Sequence, residues 1–208
     1  MKLYFAPGAC SLACHIALQE AGLKHELVRV DLRTKTLADG SDYRLICKTG
    51  YVPAMQLKNG ELLSETPALL QYIADQAPAA NLAPANGSFG RYRLQAVLNF
   101  IATELHKNFS PLFDPSAATV TTAAARSRLA QRLVDTEQLL GSQNFLLGDY
   151  FSVADAYLFT VLGWAVLVNV DLTPYPLLQN LQQRIANRPA VQRALTAEGL
   201  NHSGASNA

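Results

Sequence analysis

One cysteine near the amino terminus, Cys10, stands where a thiol can be activated. It follows a short apolar run at residues 3–5 and the turn residues Pro7-Gly8, and it precedes a helical pattern at residues 11–22. A helix start presents free amide groups and the positive end of the helix dipole, and both stabilise a thiolate. The spacing alone supports a reactive thiol and a small buried core residue equally.

Ser11 and Cys14 accompany this cysteine. Ser11 is expected to be the helix N-cap, and a hydroxyl donor to a bound sulfur is the alternative. The Cys10-x-x-x-Cys14 spacing differs from the Cys-x-x-Cys of dithiol oxidoreductases, and Cys14 falls one turn inside the helix among apolar residues. We therefore interpret Cys14 as a core residue, and we assign no role to Cys47.

A Val-Pro pair, Val52-Pro53, precedes a predicted strand at residues 54–57. Proline removes a hydrogen bond from a strand ladder, so its presence here calls for a reason. A cis bond between the two residues would turn the backbone groups of Val52 outward, where they can pair with a peptide-like ligand. An ordinary proline at a strand edge is the alternative.

Glu65 and Thr66 stand at the predicted start of another helix, with Thr66 as the N-cap and Pro67 at the first helical position. Free amides at a helix start, together with the Thr66 hydroxyl, form an anion site suited to a carboxylate. The Glu65 carboxylate can hold an ammonium group. The pair therefore fits both charges of an amino-acid end, and simple helix capping is the alternative.

A long helix predicted after residue 90 carries polar side chains at Asn99, Thr103 and His106. Their i, i+4, i+7 spacing places them within about 60° of one another around an α-helix. These side chains either line a cleft against the preceding domain or form an ordinary solvated face.

The hydrophobic periodicity predicts the elements that carry these residues. Residues 1–77 give the order β-α-β, an irregular stretch and β-β-α, with a hairpin turn at Asn59-Gly60. Residues 78–90, rich in Pro, Ala, Gly and Asn, predict a linker. Residues 91–200 give only helical patterns, and residues 201–208 are typical of a frayed tail. After the first long helix, helices are predicted at about 123–140, 152–164 (opened by a Ser152–Asp155 capping box), 176–187 and 190–197.

The composition excludes several classes of protein. The formal charge is +1 over 208 residues, and no run of Lys or Arg forms a patch, which argues against nucleic-acid and anionic-membrane partners. The most apolar stretch, residues 157–168, is too short to cross a bilayer, and no signal-peptide pattern is present. Three cysteines favour a reducing compartment, so we expect a cytoplasmic protein. No nucleotide-binding or metal-binding motif occurs, so no such cofactor is predicted.

Together these features resemble the cytosolic glutathione S-transferases. The segments MKLY…APGACSL at residues 1–12, LNFIATELHK at residues 98–107 and SVADAYLF at residues 152–159 are similar to the bacterial beta class. The resemblance covers about residues 1–200. It implies a thioredoxin-like glutathione-binding domain of order βαβ-α-ββα at residues 1–77, an all-helical domain at residues 91–200, and a homodimer.

The resemblance also implies roles for single residues. Cys10 lies against the glutathione sulfur and can form a mixed disulfide with it, while Ser11 and His106 hydrogen-bond that sulfur. The remaining contacts with glutathione are implied for Lys35 at the glycyl carboxylate, Val52 beside Pro53 at the cysteinyl backbone, Glu65 and Thr66 at the γ-glutamyl end, and Asn99, Thr103, Glu104, Leu105 and His106 along the wall from the second domain. One departure is Cys47-Lys48, where relatives usually carry Asn-Pro.

The resemblance implies that the glutathione thiolate is conjugated to small, largely apolar electrophiles, with glutathione as co-substrate and no metal. A thiol–disulfide oxidoreductase, peroxidase or reductive dehalogenase acting through a Cys10–glutathione disulfide is the alternative. A third reading is a non-catalytic binding module on the same fold. The sequence favours an enzyme, because it retains together Cys10, Ser11, Val52-Pro53, Glu65-Thr66 and His106.

Overall fold

The computed structural model describes residues 1–200, so the predicted tail at 201–208 lies outside the described residues. A five-stranded sheet of order β3-β2-β1-β4-β5 forms the first part of the chain. The β1–β2 pair is parallel, and the other three pairs are antiparallel. The strands are β1 (Lys2–Phe5), β2 (Glu26–Asp31), β3 (Thr36–Leu37), β4 (Ala54–Gln56) and β5 (Leu62–Ser64).

Two helices complete this part, α1 (Ser11–Glu20) between β1 and β2, and α2 (Thr66–Gln76) after β5. The predicted hairpin between β4 and β5 is present. Its turn is closed by a 2.8 Å bond from the Leu57 amide to the Glu61 carbonyl. Gly60 adopts φ +88°, which few other residues tolerate.

The stretch between β2 and β4 is irregular, as the hydrophobic pattern predicted, and it lacks the α-helix that the resemblance implied. Instead of a helix it contains one 3-10 turn, Tyr43–Leu45, and the two-residue strand β3. Side chains set these turns, because Asp31 accepts from the amides of Arg33 and Thr34, and Asp42 accepts from that of Arg44. Such local bonds offer the backbone an alternative to helix.

The rest of the described chain, up to residue 200, is mainly helical. Its helices are α3 (Phe89–Phe100), a π-helical segment (Ile101–His106), α4 (Lys107–Phe109), α5 (Thr119–Leu140), α6 (Val153–Leu162), α7 (Pro176–Ala186) and α8 (Pro189–Ala197). The capping box that opens α6 is confirmed, with Ser152 and Asp155 bonded reciprocally. No helix among residues 1–200 is both long and apolar enough to cross a bilayer. The exact domain limits at 77 and 91 stay a prediction.

The two halves meet across α1, which packs against β1 and α2 on one side and against α6 and α8 on the other. At one end of this interface the Arg188 guanidinium donates to the Glu20 carboxylate at 2.6 Å. At the other end both backbone groups of Gly8 are held by the helical half. The Gly8 amide donates to Glu198 Oε2 at 2.9 Å, and the Gly8 carbonyl accepts from Trp164 Nε1 at 2.8 Å. The helical half therefore fixes the loop that leads into Cys10.

Candidate active site

Cys10 lies at the N-cap position of α1, beside the loop that precedes β4. Its thiol donates to the Val52 carbonyl at a sulfur–oxygen distance of 3.1 Å. The Val52–Pro53 peptide bond is cis, as the sequence suggested. The thiol and the backbone of Val52 therefore face each other between the first helix and the sheet.

The surroundings of Cys10 favour the neutral thiol over the thiolate that a helix start can stabilise. Burial raises the pKa of the Cys10 thiol to about 11, although hydrogen bonds from Thr66 and from the helix-start amides act in the opposite direction. The negative charge of Glu65 raises this pKa further. Desolvation outweighs the stabilisation that the helix start gives to a thiolate, because removing water destabilises an anion more than a neutral thiol. Cys10 is therefore a protonated hydrogen-bond donor at neutral pH.

Ser11 does not face a bound sulfur, contrary to the role implied by resemblance. Its side chain is fully buried, and its hydroxyl both accepts from the Ala6 amide and donates to the Ala6 carbonyl, each at 3.2 Å. A hydroxyl has one hydrogen, so none remains for a ligand. Ser11 is also the first residue of α1 rather than its cap. It holds the β1–α1 loop.

Three side chains hold the two loop carbonyls that precede Val52. Lys35 Nζ donates to the Gly50 carbonyl at 3.0 Å, and the Tyr43 hydroxyl donates to the Tyr51 carbonyl at 3.0 Å. The Cys47 thiol lies 3.8 Å from the same Tyr51 oxygen. Cys47 thus supports this loop where relatives usually carry Asn-Pro, whereas Cys14 is fully buried in the core as expected.

Helix α2 begins one residue earlier than predicted. Thr66 is the first residue of α2, and Glu65 occupies the N-cap position with an exposed side chain. Thr66 is 3% exposed, and its hydroxyl acts to lower the pKa of both the Cys10 thiol and the Tyr157 phenol, so it lies beside both groups. The free amides at the start of α2 and the Cys10 thiol therefore belong to one site.

Backbone strain marks both charged residues that the resemblance assigns to the ends of glutathione. Lys35 has φ +61° and Glu65 has φ +72°; apart from glycines, the other positive-φ residues in the described chain are Asn81 and Asn169. Asparagine tolerates this region, whereas other side chains pay about 1–3 kcal/mol there. Such strain is typical of functional sites, because the surroundings hold it in place for a reason other than stability.

His106 ends the π-helical segment and reaches toward this site from the helical half. Its Nδ1 lies 2.8 Å from the Tyr157 hydroxyl, and its ring meets that of Trp164 edge-on at 4.7 Å between centroids. Burial lowers the pKa of His106 to about 4, and the charge of Lys107 lowers it further. His106 is therefore neutral at physiological pH.

The other residues predicted from this helix do not join His106. Leu105 is fully buried in the apolar core, and Glu104 forms an ion pair with Arg132 at 3.0 Å. Asn99 and Thr103 are exposed, and the Thr103 hydroxyl donates to the Asn99 carbonyl at 3.0 Å. The shared face of Asn99, Thr103 and His106 was predicted for a regular α-helix. The π-helical turn at Ile101–His106 has more residues per turn, so it changes which side chains lie on one face.

Two site residues, Tyr157 and Trp164, were missed by sequence reasoning. Both lie in the apolar stretch that was interpreted as a buried helix, which ends as α6 and the turn after it. A signal was present, because a buried Tyr or Trp usually finds a partner for its polar group. The sequence gives no indication that these partners are His106 and Gly8.

This combination defines a thioredoxin-like protein with an appended helical domain: a helix-start cysteine faces a cis-proline loop on a sheet of order β3-β2-β1-β4-β5. The described residues also match the model of the glutathione S-transferase N-terminal domain at 8–76 and that of the C-terminal domain at 100–189. The chain belongs to the glutathione S-transferase family.

Individual relatives agree with this assignment. Glutathione S-transferase GstA of Escherichia coli O157:H7 is 45% identical over 200 residues, covering 96% of this chain and 100% of the relative. The bacterial glutathione S-transferase BphK, solved as a ternary complex, gives a TM-score of 0.95 at 56% identity over 96% of this chain and 100% of that one. A sphingomonad glutathione S-transferase complexed with glutathione gives a TM-score of 0.93 at 47% identity, covering 97% of this chain and 100% of that one. A bacterial beta class enzyme is also among the structural neighbours.

Proposed function

We propose that this protein joins the thiol of glutathione to small, largely apolar electrophiles. The observation that carries the proposal is one site at the domain junction, where Cys10, Val52 and Thr66 meet Tyr157 and His106. Family membership and a relative solved with glutathione support the choice of ligand. The reaction uses glutathione as co-substrate and no metal.

The anchors suit the three parts of this tripeptide. The Glu65 carboxylate and the free amides at the start of α2 fit the ammonium and carboxylate of the γ-glutamyl end. The backbone of Val52 beside the cis-proline fits the cysteinyl unit, because an extended peptide pairs with exposed backbone groups. Lys35, half-buried beside Tyr51, supplies a cation for the glycyl carboxylate.

The chemistry then needs a glutathione thiolate at neutral pH. The helix start at Cys10 and a neutral donor at His106 stabilise that anion, and the thiol proton leaves to water. The sulfur attacks the electrophilic carbon and forms a carbon–sulfur bond, while the leaving group departs with its electron pair. Phe113, whose ring lies 5.9 Å from that of Trp164, gives the second substrate an exposed apolar wall with Val166 and Leu167.

The raised pKa of Cys10 favours conjugation over chemistry through a Cys10–glutathione disulfide, because attack on a disulfide requires a protein thiolate. Assays with glutathione and a haloaromatic compound, a hydroperoxide, a mixed disulfide or a chlorinated catabolic compound test this choice. We expect turnover of the haloaromatic compound by wild type and by Cys10→Ala. Disulfide or dehalogenation turnover that disappears in Cys10→Ala would establish the alternative, and no turnover with any substrate would indicate a binding module.

The proposal extends to a cytoplasmic homodimer. All three cysteines of the described chain are free thiols, which fits a reducing compartment. Phe89 and Tyr92, one turn apart on α3, are 71% and 59% exposed, and neighbouring exposed aromatic residues are typical of a protein–protein interface.

A further inference from the structure

Tyr157 lies at the centre of the junction site, on α6. Its residue is 1% exposed, and its hydroxyl is 2.8 Å from His106 Nδ1. Burial raises the pKa of Tyr157, so this hydroxyl stays protonated and keeps one hydrogen to donate. The Thr66 hydroxyl is a neighbour of the same phenol and acts on its pKa in the opposite direction.

The neutral ring of His106 carries one hydrogen, on either Nδ1 or Nε2. If Tyr157 donates to Nδ1, the hydrogen must be on Nε2, at the opposite side of the ring. In the reverse arrangement Nδ1–H donates to Tyr157, and the Tyr157 hydrogen can pass to the Thr66 oxygen. A phenol O–H is a stronger hydrogen-bond donor than a neutral imidazole N–H, and an imidazole nitrogen is a stronger acceptor than a phenol oxygen. This difference favours the first arrangement.

The ring of His106 also has little freedom to turn. Trp164 packs against it at 4.7 Å, and the indole of Trp164 is itself fixed by its bond to the Gly8 carbonyl. Tyr157 sits in the second turn of a helix whose start is held by the Ser152–Asp155 capping box. A rigid phenol therefore meets a rigid imidazole.

We propose that Tyr157 is a positioning residue, which donates to His106 Nδ1 and thereby fixes the neutral tautomer with its hydrogen on Nε2. That hydrogen is the one that His106 presents to the glutathione sulfur. The contact between this hydrogen and the glutathione sulfur rests on the proposed function, whereas the tautomer itself does not. Tyr157 acts through His106 and need not touch the substrate.

The test is the tautomer of His106, read by long-range proton–nitrogen NMR on protein with nitrogen-15 histidine at pH 7. We expect hydrogen on Nε2 alone in wild type and a mixture of tautomers in Tyr157→Phe. We further expect kcat to fall about tenfold in this variant while KM for glutathione changes less than twofold, because one neutral hydrogen bond is lost away from the anchors.

Tyr175→Phe is the matched control. Its buried hydroxyl donates to the Ala130 carbonyl at 3.2 Å, so this change also removes one hydrogen bond within the helical half. We expect it to leave both the His106 tautomer and kcat unchanged. Should Tyr157→Phe fail to fold, 3-fluorotyrosine at position 157 keeps the contact with a stronger donor, and the Nδ1 resonance should move toward that of a more strongly hydrogen-bonded nitrogen.

Three results overturn the proposal: hydrogen on Nδ1 in wild type, an unchanged tautomer in Tyr157→Phe, or an Nδ1 resonance insensitive to fluorination. Failure of the proposed function is distinct from these. It would leave wild type without glutathione turnover, while the NMR measurement would still decide the role of Tyr157.

Discussion

Glu65 has both a proposed contact with glutathione and a strained backbone conformation, and two substitutions separate their effects. Replacing it with Ala removes the carboxylate, and because a charged hydrogen bond contributes about 1.5–3 kcal/mol, glutathione affinity should fall about ten- to a hundredfold. Isothermal calorimetry measures this directly. An unchanged affinity would remove Glu65 from the binding site.

Glu65→Gly tests the strain at the same position. Glycine accepts φ +72°, so we expect binding to weaken as in the Ala variant while the free energy of unfolding rises by about 1 kcal/mol. Asn81→Gly is the control, since Asn81 has φ +51° and no proposed contact with glutathione. It should change neither binding nor, by more than about 0.5 kcal/mol, stability. A loss of stability in Glu65→Gly would contradict the strain argument.

The Cys10 thiol should react slowly at neutral pH and faster as pH rises. With its pKa at about 11, the thiolate is about one part in ten thousand at pH 7 and grows tenfold per pH unit. Alkylation by iodoacetamide, followed by peptide mass mapping, should therefore accelerate up to at least pH 10. An ordinary thiol would level off above about pH 9.

Cys14 and Cys47 serve as internal controls in that experiment, because both are buried while Cys10 is partly exposed. Oxidised glutathione should likewise add one glutathione mass, on Cys10. Modification mainly at either of the other two cysteines would show that we have chosen the wrong residue.

At the residue scale, the sequence was informative where chemistry depends on neighbours along the chain. The core position of Cys14 followed from local spacing, and the cis bond at Val52–Pro53 was one of two alternatives that the sequence left open. Ser11 was placed wrongly because its partner, Ala6, is decided by how the loop folds back. The pKa of Cys10 could not be predicted, because desolvation depends on packing from both halves, which spacing does not reveal.

At the element scale, the Ser152–Asp155 capping box should contribute more stability than its size suggests. The buried Asp155 carboxylate accepts from the amides of Leu146 and Ser152 and from the Ser152 hydroxyl, at 2.7–2.8 Å. Asp155→Ala leaves two buried amides without this partner, so the free energy of unfolding should fall by about 2–4 kcal/mol. Urea denaturation followed by circular dichroism measures the loss.

Asp171→Ala is the comparison for this prediction. Asp171 accepts from the Thr173 amide and hydroxyl at 2.8 and 2.7 Å, but these bonds are exposed. Water replaces them, so the loss should stay below about 1 kcal/mol. Equal losses in the two variants would show that burial of the capping box is unimportant.

Elements with a strong hydrophobic period were predicted well, and irregular ones were not. The hairpin, α7 and α8 follow the expected bounds within one or two residues. The π-helical turn at Ile101–His106 was missed because its apolar spacing also satisfies an α-helix. The assignment of Glu104 and Leu105 to the site came from the resemblance and stays a prediction.

At the scale of the whole molecule, we predict a particle of twice 22.5 kDa in solution. Replacing Phe89 and Tyr92 together by Ser removes the exposed aromatic pair of α3, and sedimentation equilibrium should then show a monomer. Val166→Ser, at a site 77% exposed elsewhere on the surface, should leave the dimer intact. A monomeric wild type, or a dimer that survives the double change, would place the interface elsewhere.

The division into a mixed sheet domain and a helical domain was predictable, because alternation and helical periodicity differ clearly between the two halves. The contacts between the halves were not. Glu198 and Gly8 are 190 positions apart, and no local pattern links an acidic residue after the last helix to a loop after the first strand.

That contact has a consequence for how the protein is made. Gly8 leaves the ribosome early, whereas Glu198 is synthesised 190 residues later. At 5–20 residues per second, about 10–40 s separate them. Until residue 164 is made, the nascent sheet domain carries a Cys10 loop in which neither the amide nor the carbonyl of Gly8 has its partner, and the amide waits for Glu198 until the end of the interval. A chain stalled before its last helix would thus keep every predicted glutathione anchor of the sheet domain while the Gly8 amide beside them still lacked its partner.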